Sequence, residues 1–215
     1  MKNKLIKVMA LSSAMSVMMV LFRMQWSGSL FGVFLIWNLF LAWIPFLFAL
    51  ALTGINVVAP SRTKRILLFG GWLLFFPNSP YILTDLFHLR VRADVPLWFD
   101  LILILSFAWT GLLLGYSSLF EIQYFLKRRF KIFTVNCFIT CLLILCSFGI
   151  YLGRYPRFNS WDIVTNPINL FTDIVNMLIH PMHNTRMVGV TFFFSLFLIV
   201  SFRTLSTLIN HKHDE

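Results

Sequence analysis

The sequence predicts an all-α, multi-spanning membrane protein of about six transmembrane helices, and three observations predict it. Of the 215 residues, 59% are hydrophobic and only 12% are charged, whereas soluble domains carry roughly 25% charged residues. The mean hydropathy is +0.81. Apolar runs of the ~20 residues that a membrane helix needs recur along the whole chain. The length suits a single integral membrane domain, residues 1–215.

These apolar runs place the predicted spans at residues 5–22, 30–52, 66–89, 97–120, 132–152 and 187–208. The first run follows three lysines and looks like a signal peptide. Its length nevertheless favours an uncleaved signal anchor over a removed peptide. Pro45 predicts a kink in the second span. Cys137, Cys141 and Cys146 share the fifth span, where we interpret them as small buried hydrophobic residues.

The basic residues predict the orientation of the chain. If the loops alternate between the two sides, twelve Lys and Arg residues lie on one side and six on the other. By the positive-inside rule the richer side is cytoplasmic, so both termini are expected in the cytoplasm. The net charge of +10 falls in short clusters without a continuous basic face, which argues against nucleic-acid binding. Most acidic residues lie on the opposite side, so we expect any chemistry at the outer face.

The third span contains two prolines, which predict a break in the helix. The run from residue 66 to residue 76 reaches only ~16 Å, about half of a ~30 Å hydrocarbon core. Pro77 and Pro80 then follow within four residues, and each removes a backbone hydrogen bond. Asn78 or Ser79 is expected to cap a restarted helix with Pro80 at its first position. Such a helix start carries free N–H groups that favour an anionic group.

Polar residues follow the break at helical spacing. Tyr81, Asp85, His88 and Arg92 are predicted to share one face of a continuing helix, with Thr84 one turn before His88. A carboxylate in a membrane segment costs at least ~2.5 kcal/mol, so Asp85 should face a cavity or a partner. Three interpretations remain open: a polar site in an outward-opening cavity, a buried ion pair that locks the bundle, or solvated interfacial residues.

A second polar motif, YLGRYPRFNSWD, occupies residues 151–162. Arg154 and Arg157 are three residues apart and suit a single carboxylate or phosphate, or else they reach the phosphates of bulk lipid. The aromatic residues of the motif suit the headgroup level of a bilayer. Asp100, near the start of the fourth span, is interpreted as a helix-start residue that could join the site.

Residues 167–179, PINLFTDIVNMLI, predict an amphipathic helix. Asn169, Thr172, Asp173 and Asn176 form one polar stripe on an otherwise apolar helix. The thirteen residues span only ~20 Å, which is too short to cross a bilayer. We therefore expect an interfacial helix on the outer face, with part of a seventh span as the alternative.

No metal or cofactor is predicted. Asp85 with His88, and His180 with His183, offer ligand atoms, but neither pair matches a zinc signature. A glycine-rich phosphate loop and the common hydrolase and protease motifs are absent from the sequence. Gly111 and Gly115, four residues apart, are interpreted as a close helix contact.

The segments PNSPYILTDLFHLR at 77–90, VPLWFDLILILSFAWTGLLLG at 95–115 and GIYLGRYPRFNSWD at 149–162 carry a family resemblance. They resemble a family of bacterial integral membrane proteins, domain of unknown function 1361, over roughly residues 35–202. The resemblance implies a location in the bacterial cytoplasmic membrane and no established activity. It covers the first motif from Pro77 to His88 and the second from Gly153 to Asp162.

We therefore expect an outward-facing polar site for an anionic molecule, lipid-linked or phosphate-bearing, in an enzyme or a transporter. Asp85 and His88 are the candidate catalytic residues, and one or the other would be the general base. The candidate substrate-binding residues are Asn78, Tyr81, Thr84, Arg92, Arg154, Arg157, Asn159 and Asp162. Membrane lipid is the expected partner. The alternative is a non-catalytic accessory subunit that packs against a partner membrane protein.

Overall fold

The computed structural model describes residues 2–54, 61–158 and 165–211, and every regular element in these residues is helical. The elements in chain order are α1 (Lys2–Ser27), α2 (Val33–Thr53), α3 (Arg62–Phe75), α4 (Asn78–Tyr81), a 3-10 helix (Ile82–His88), α5 (Leu97–Lys127), α6 (Ile132–Arg154), α7 (Pro167–Ile179) and α8 (Thr185–His211). The prediction of an all-α fold is confirmed.

Six stretches in the described residues are long and apolar enough to cross a membrane, which confirms the predicted number of spans. They are Lys2–Ser27, Val33–Thr53, Arg62–His88, Leu97–Lys127, Ile132–Arg154 and Thr185–Ile209. Most extend beyond the apolar runs, because a helix can continue into polar residues outside the hydrocarbon. Pro45 lies inside α2, and the helix continues through it. The shorter apolar helix α7 coincides with the predicted amphipathic segment.

The chain divides into two compact units, unit 1 (Met1–Phe125) and unit 2 (Leu126–Glu215). The core of unit 1 is formed by α2 and α5 around the segment after the proline break. Its fully enclosed members include Leu35, Phe46, Ile82, Leu103 and Phe107. A single integral membrane domain over residues 1–215 stays a prediction.

Within unit 1, α1 and α5 run antiparallel and are joined at both ends by ion pairs. Lys2 at the start of α1 lies 2.6 Å from Glu121 near the end of α5. Arg23 near the end of α1 contacts Asp100 in the first turn of α5. On each helix the two charged residues are about 20 positions apart, or roughly 30 Å, which matches the hydrocarbon thickness of a bilayer. Between them, the hydroxyl groups of Ser12 and Thr110 share a hydrogen bond of 2.6 Å.

Unit 2 contains α6, α7 and α8. Tyr151 and Leu152 of α6 pack with Met187 of α8, and Ile174 and Met177 of α7 pack against this cluster. Cys146 is buried in α6, whereas Cys137 and Cys141 are exposed. The prediction that all the cysteines are buried was therefore wrong for two of them, because one helix face cannot hold all these positions inside.

Candidate functional site

The proline break lies between α3 and α4, as predicted. Helix α3 ends at Phe75, and α4 begins at Asn78. Phe76 and Pro77 keep right-handed helical torsions, with φ of −54° and −59°. The backbone N–H of Ser79 donates to the carbonyl of Phe76, three residues back, at 3.2 Å. The break is therefore a tightening of the hydrogen-bond pattern and not an unwound loop.

The side chain of Asn78 compensates for this change in hydrogen bonding. In a regular α-helix the N–H of Ser79 would donate to the carbonyl of Phe75. Here it donates to the carbonyl of Phe76. Asn78 Nδ2 donates to the Phe75 carbonyl at 3.0 Å instead. The prediction that Asn78 or Ser79 caps the restarted helix was wrong. The N-cap residue is Pro77, which has no side-chain cap, and Pro80 is the third residue of α4.

Two glycines of α5 make room for the broken segment. A Cβ on Gly111 would lie 2.8 Å from Ile82 Cδ1 and 3.0 Å from the carbonyl oxygen of Ser79. A Cβ on Gly115 would lie 2.9 Å from Ser79 Cβ. Ser79 Oγ in turn donates to the carbonyl of Ala42 in α2 at 3.0 Å. The predicted close helix contact is confirmed, and its partner is the segment around Ser79.

The residues after the break follow a different helical period from the one that the sequence predicts. Ile82–His88 is a 3-10 helix, which has three residues per turn, so Asp85 and His88 lie on the same face. The helix ends at His88, and Leu89 is extended with ψ of 116°. The predicted α-helical face from Tyr81 to Arg92 was therefore wrong, because its period differs and Arg92 lies beyond the helix end.

Asp85 is enclosed in unit 1, with 1% of its surface exposed. Its Oδ2 accepts a hydrogen bond of 2.8 Å from Asn38 Nδ2 of α2. Thr84 is also buried, and its hydroxyl donates to the carbonyl of Tyr81 at 2.8 Å. The ring of His88 stands edge-on to Phe34, with centroids 4.9 Å apart. The aspartate thus has a polar partner, as its position in an apolar span requires.

The strongest electrostatic feature of unit 1 is a cluster of Arg23, Arg92 and Asp100. Arg23 Nε donates to Asp100 Oδ1 at 2.6 Å, and Arg23 Nη2 donates to Oδ2 at 3.2 Å. Arg92 Nη1 donates to the same Oδ2 at 3.0 Å. Both guanidinium groups lie over the ring of Phe31, at 4.5 Å for Arg23 and 3.7 Å for Arg92. We call these four residues the arginine cluster.

The arginine cluster contains two positive charges and one negative charge. The side chains of Arg23 and Asp100 are each 1% exposed, whereas that of Arg92 is 27% exposed. Arg92 also donates to the backbone carbonyls of His88 and Arg90, at 3.3 Å each. The cluster therefore carries one excess positive charge, and the guanidinium of Arg92 is its accessible part. Such a group can hold a carboxylate or phosphate.

Sequence reasoning missed the contact between Arg23 and Asp100. It treated Arg23 as a loop charge and Asp100 as a helix-start residue. The sequence nevertheless contained a signal for this contact. Arg23 and Asp100 have opposite charges, and both lie at the edges of apolar runs on the same predicted side. A charge in such a position needs a partner.

The second motif lies in unit 2. Arg154 is in the last turn of α6, and Tyr151 and Tyr155 stack with centroids 5.2 Å apart. Arg157 has a positive φ of 66°, which a non-glycine residue adopts infrequently. Asn159 and Asp162 lie outside the described residues. The pairing of this motif with the first motif stays a prediction.

The described residues contain no group of three or more His, Cys, Asp and Glu side chains that could hold a metal ion.

Comparison with known protein families matches residues 37–201 to the family described as protein of unknown function, DUF1361. The chain belongs to the DUF1361 family. No curated protein and no solved structure matches it. The DUF1361 match includes Asn38, Asp85, Arg92 and Asp100, whereas Arg23 precedes it. The arginine cluster therefore joins two residues outside the matched DUF1361 region, Arg23 and Phe31, to Arg92 and Asp100 inside it.

Proposed function

We propose that this DUF1361 protein binds an anionic molecule, lipid-linked or phosphate-bearing, at the arginine cluster. The observation that carries the proposal is that two guanidinium groups share the single carboxylate of Asp100. An anionic group beside Arg92 would balance the remaining positive charge. Arginine suits this role, because its planar fork can donate two parallel hydrogen bonds to a carboxylate or phosphate.

The members of the arginine cluster have different roles in this proposal. The pair of Arg23 and Asp100 is enclosed and anchors the cluster, while Arg92 contacts the anion. Phe31 provides a flat surface under both guanidinium groups and limits their orientations. Arg154, Arg157, Asn159 and Asp162, which the sequence analysis selected in unit 2, stay proposed as anion-binding residues.

The candidate catalytic residues receive unequal support. Asp85 is 1% exposed and bonded to Asn38, which supports a structural role in the described conformation. His88 is half-buried, and its carbonyl accepts a hydrogen bond from Arg92. His88 is therefore the better candidate for a base beside the bound anion. Asn78 and Thr84 support the segment that carries it, because their side chains donate to the backbone carbonyls of Phe75 and Tyr81.

An accessory subunit that packs against a partner membrane protein is the second candidate function. It is favoured by the internal use of polar groups, since Ser79, Thr84 and Asp85 are all buried. Purification in a mild detergent distinguishes the two functions. A partner present in equal amounts, together with no anion binding, would favour the accessory role.

We also propose that the protein resides in the bacterial cytoplasmic membrane with both termini in the cytoplasm. The distribution of Lys and Arg between the predicted loops supports this orientation. Reporter fusions at the C-terminus test it, with activity expected only from a cytoplasmic reporter. Activity from an extracytoplasmic reporter would reverse the orientation and move the arginine cluster to the inner face.

The binding experiment compares two neighbouring arginines. Purified protein in neutral detergent micelles is titrated with phosphatidylglycerol, phosphatidylcholine or inorganic phosphate, and the melting temperature is recorded. A ligand that binds only the folded state raises this temperature. We expect phosphatidylglycerol to stabilise the wild type more than phosphatidylcholine, and Arg92→Gln to abolish the difference. A response to inorganic phosphate alone would identify a soluble anion as the ligand.

Arg90→Gln is the matched control, because Arg90 is exposed and only its backbone carbonyl contacts Arg92. It should respond like the wild type. Equal responses of Arg90→Gln and Arg92→Gln, or no preference for any anion, would contradict the proposal.

A further inference from the structure

The surface of α7 is divided into three sectors. Ile174 and Met177 pack against the core of unit 2. A second sector of about 100° is exposed and apolar, and a third sector of similar width is exposed and polar. The apolar sector consists of Ile168, Phe171, Leu178 and Ile179, and the polar sector of Asn169, Thr172, Asp173 and Asn176. None of the thirteen residues is fully buried.

This arrangement fits a helix at the boundary between hydrocarbon and headgroups. The exposed apolar sector needs an apolar partner, and the neighbouring spans α6 and α8 also expose large apolar residues, such as Leu145, Phe192 and Leu196. The apolar sector of α7 can therefore contact the same lipid that surrounds α6 and α8. The polar sector then faces the headgroups, as in interfacial amphipathic helices.

A shallow cleft lies where α7 ends. Its volume is about 370 Å³, and it is lined by Asp173, Asn176, Met177, His180, His183 and Asn184. His180, His183 and Asn184 belong to a turn that forms one side of the cleft. In this turn the backbone N–H of His183 donates to the carbonyl of His180 at 3.1 Å. Asn184 Nδ2 donates to the same carbonyl at 2.9 Å. Two residues of the polar sector of α7, Asp173 and Asn176, thus also line the cleft.

The chemistry of the cleft favours a cation. With histidine counted as neutral, Asp173 is the only formally charged residue in its lining. Asn176 and Asn184 add amide oxygens, and the histidines add ring nitrogens that can accept hydrogen bonds. The described residues contain no group of three or more His, Cys, Asp and Glu side chains that could hold a metal ion. A volume of several hundred Å³ also suits an organic group better than a bare ion.

The neighbouring positive charge is turned toward another group. The guanidinium of Arg186 lies 5.4 Å from the ring centroid of Tyr155, which is not part of the cleft lining. Asp173 is thus the formally charged residue of the lining, and the guanidinium of Arg186 has an aromatic partner outside that lining.

We propose that this cleft binds the primary ammonium group of a lipid headgroup of the ethanolamine type. The ammonium group donates to the carboxylate of Asp173 and to the oxygen of Asn176, while the acyl chains of the lipid remain in the bilayer. This site differs from the arginine cluster in its residues and in the charge that it selects.

Native mass spectrometry of the purified protein with mixed lipids tests this proposal. We expect the wild type to retain phosphatidylethanolamine over phosphatidylcholine, because a trimethylammonium group has no N–H to donate. Asp173→Asn should lower this preference about tenfold, since it removes the negative charge that strengthens the hydrogen bonds from the ammonium N–H groups. Asp94→Asn, which changes an exposed aspartate of unit 1, should leave the preference unchanged.

Other outcomes are equally decisive. Equal retention of the two lipids, or an unchanged preference in Asp173→Asn, would overturn the proposal. Displacement of the lipid by millimolar ethanolamine would support the ammonium site but overturn the headgroup as its source. If Asp173→Asn misfolds, Asn176→Ala takes its place and should lower the preference in part. Because both variants leave Arg92 intact, the test is independent of the anion-binding experiment.

Discussion

Arg23 and Asp100 form a two-point ion pair between the end of α1 and the beginning of α5. The two contacts measure 2.6 and 3.2 Å, and each side chain is only 1% exposed. Burying either charge alone would be costly, so each residue makes the position of the other tolerable. This contact attaches the first predicted span to the rest of unit 1.

Replacing Asp100 with Asn should destabilise the protein strongly. The variant leaves Arg23 buried without its counter-charge, and breaking a buried pair in this way costs about 3–5 kcal/mol. Unfolding by a denaturing detergent, followed by circular dichroism, measures the loss. Asp94→Asn is the control, because Asp94 is exposed and should change stability by less than about 0.5 kcal/mol. Similar stabilities of the two variants would mean that the buried pair contributes little.

Replacing Glu121 with Gln should have a much smaller effect. Glu121 pairs with Lys2 at the opposite end of α1, but the side chains of Lys2 and Glu121 are 35% and 15% exposed. Water screens such a pair, so its loss should cost about 1 kcal/mol or less. The same unfolding measurement at low and high salt tests this, and the difference from wild type should shrink with salt. A loss as large as that in Asp100→Asn would contradict the argument from burial.

Replacing Gly111 with Ala should destabilise the contact between α5 and the broken helix. The added Cβ would meet Ile82 Cδ1 at 2.8 Å and the Ser79 carbonyl oxygen at 3.0 Å. The carbonyl belongs to the backbone and cannot rotate away, so we expect a loss of about 1–3 kcal/mol.

Gly70→Ala is the matched control for this experiment. A Cβ on Gly70 meets no atom within 4 Å, and Gly70 lies inside α3. Alanine is the better helix former, so stability should rise by roughly 0.5–1 kcal/mol. If Gly111→Ala lowers the stability and Gly70→Ala raises it, the packing described for Gly111 is supported. Changes in stability of the same sign contradict it.

Asn38 and Asp85 should be energetically coupled. Their side chains share a 2.8 Å hydrogen bond inside unit 1. A double-mutant cycle with Asn38→Ala and Asp85→Ala should give a coupling free energy of about 1–3 kcal/mol in unfolding experiments. A second cycle, with Asn38→Ala and Asp94→Asn, should give a coupling near zero. If Asp85→Ala instead keeps full stability, its buried carboxylate does not hold the bundle together.

Several features of the fold could be predicted from the sequence alone. Apolar run length predicted the membrane spans, because a bilayer imposes the same length on every helix that crosses it. The prolines predicted the break after Phe75, since proline removes a local hydrogen bond whatever its surroundings. The spacing of Gly111 and Gly115 predicted a close contact, although not its partner. These features depend on local geometry or on the solvent.

The details of the candidate site depended on contacts between distant residues. The pattern after Pro80 suggests a period of 3.6 residues, but the packing of Ser79 and Ile82 against α5 accompanies a 3-10 helix that ends at His88. Residue spacing cannot report this change, because both helix types place residues three apart near each other.

By itself, the sequence determined that this chain is an all-α, multi-spanning membrane protein with a broken third span and polar residues after the break. The tertiary structure decided which polar residues are partners. It enclosed Asp85 with Asn38 and joined Arg23, Asp100 and Arg92 around Phe31. The physical reason is that hydrophobicity acts on each segment separately, whereas a buried charge is stabilised only by a partner that folding brings within a few ångströms.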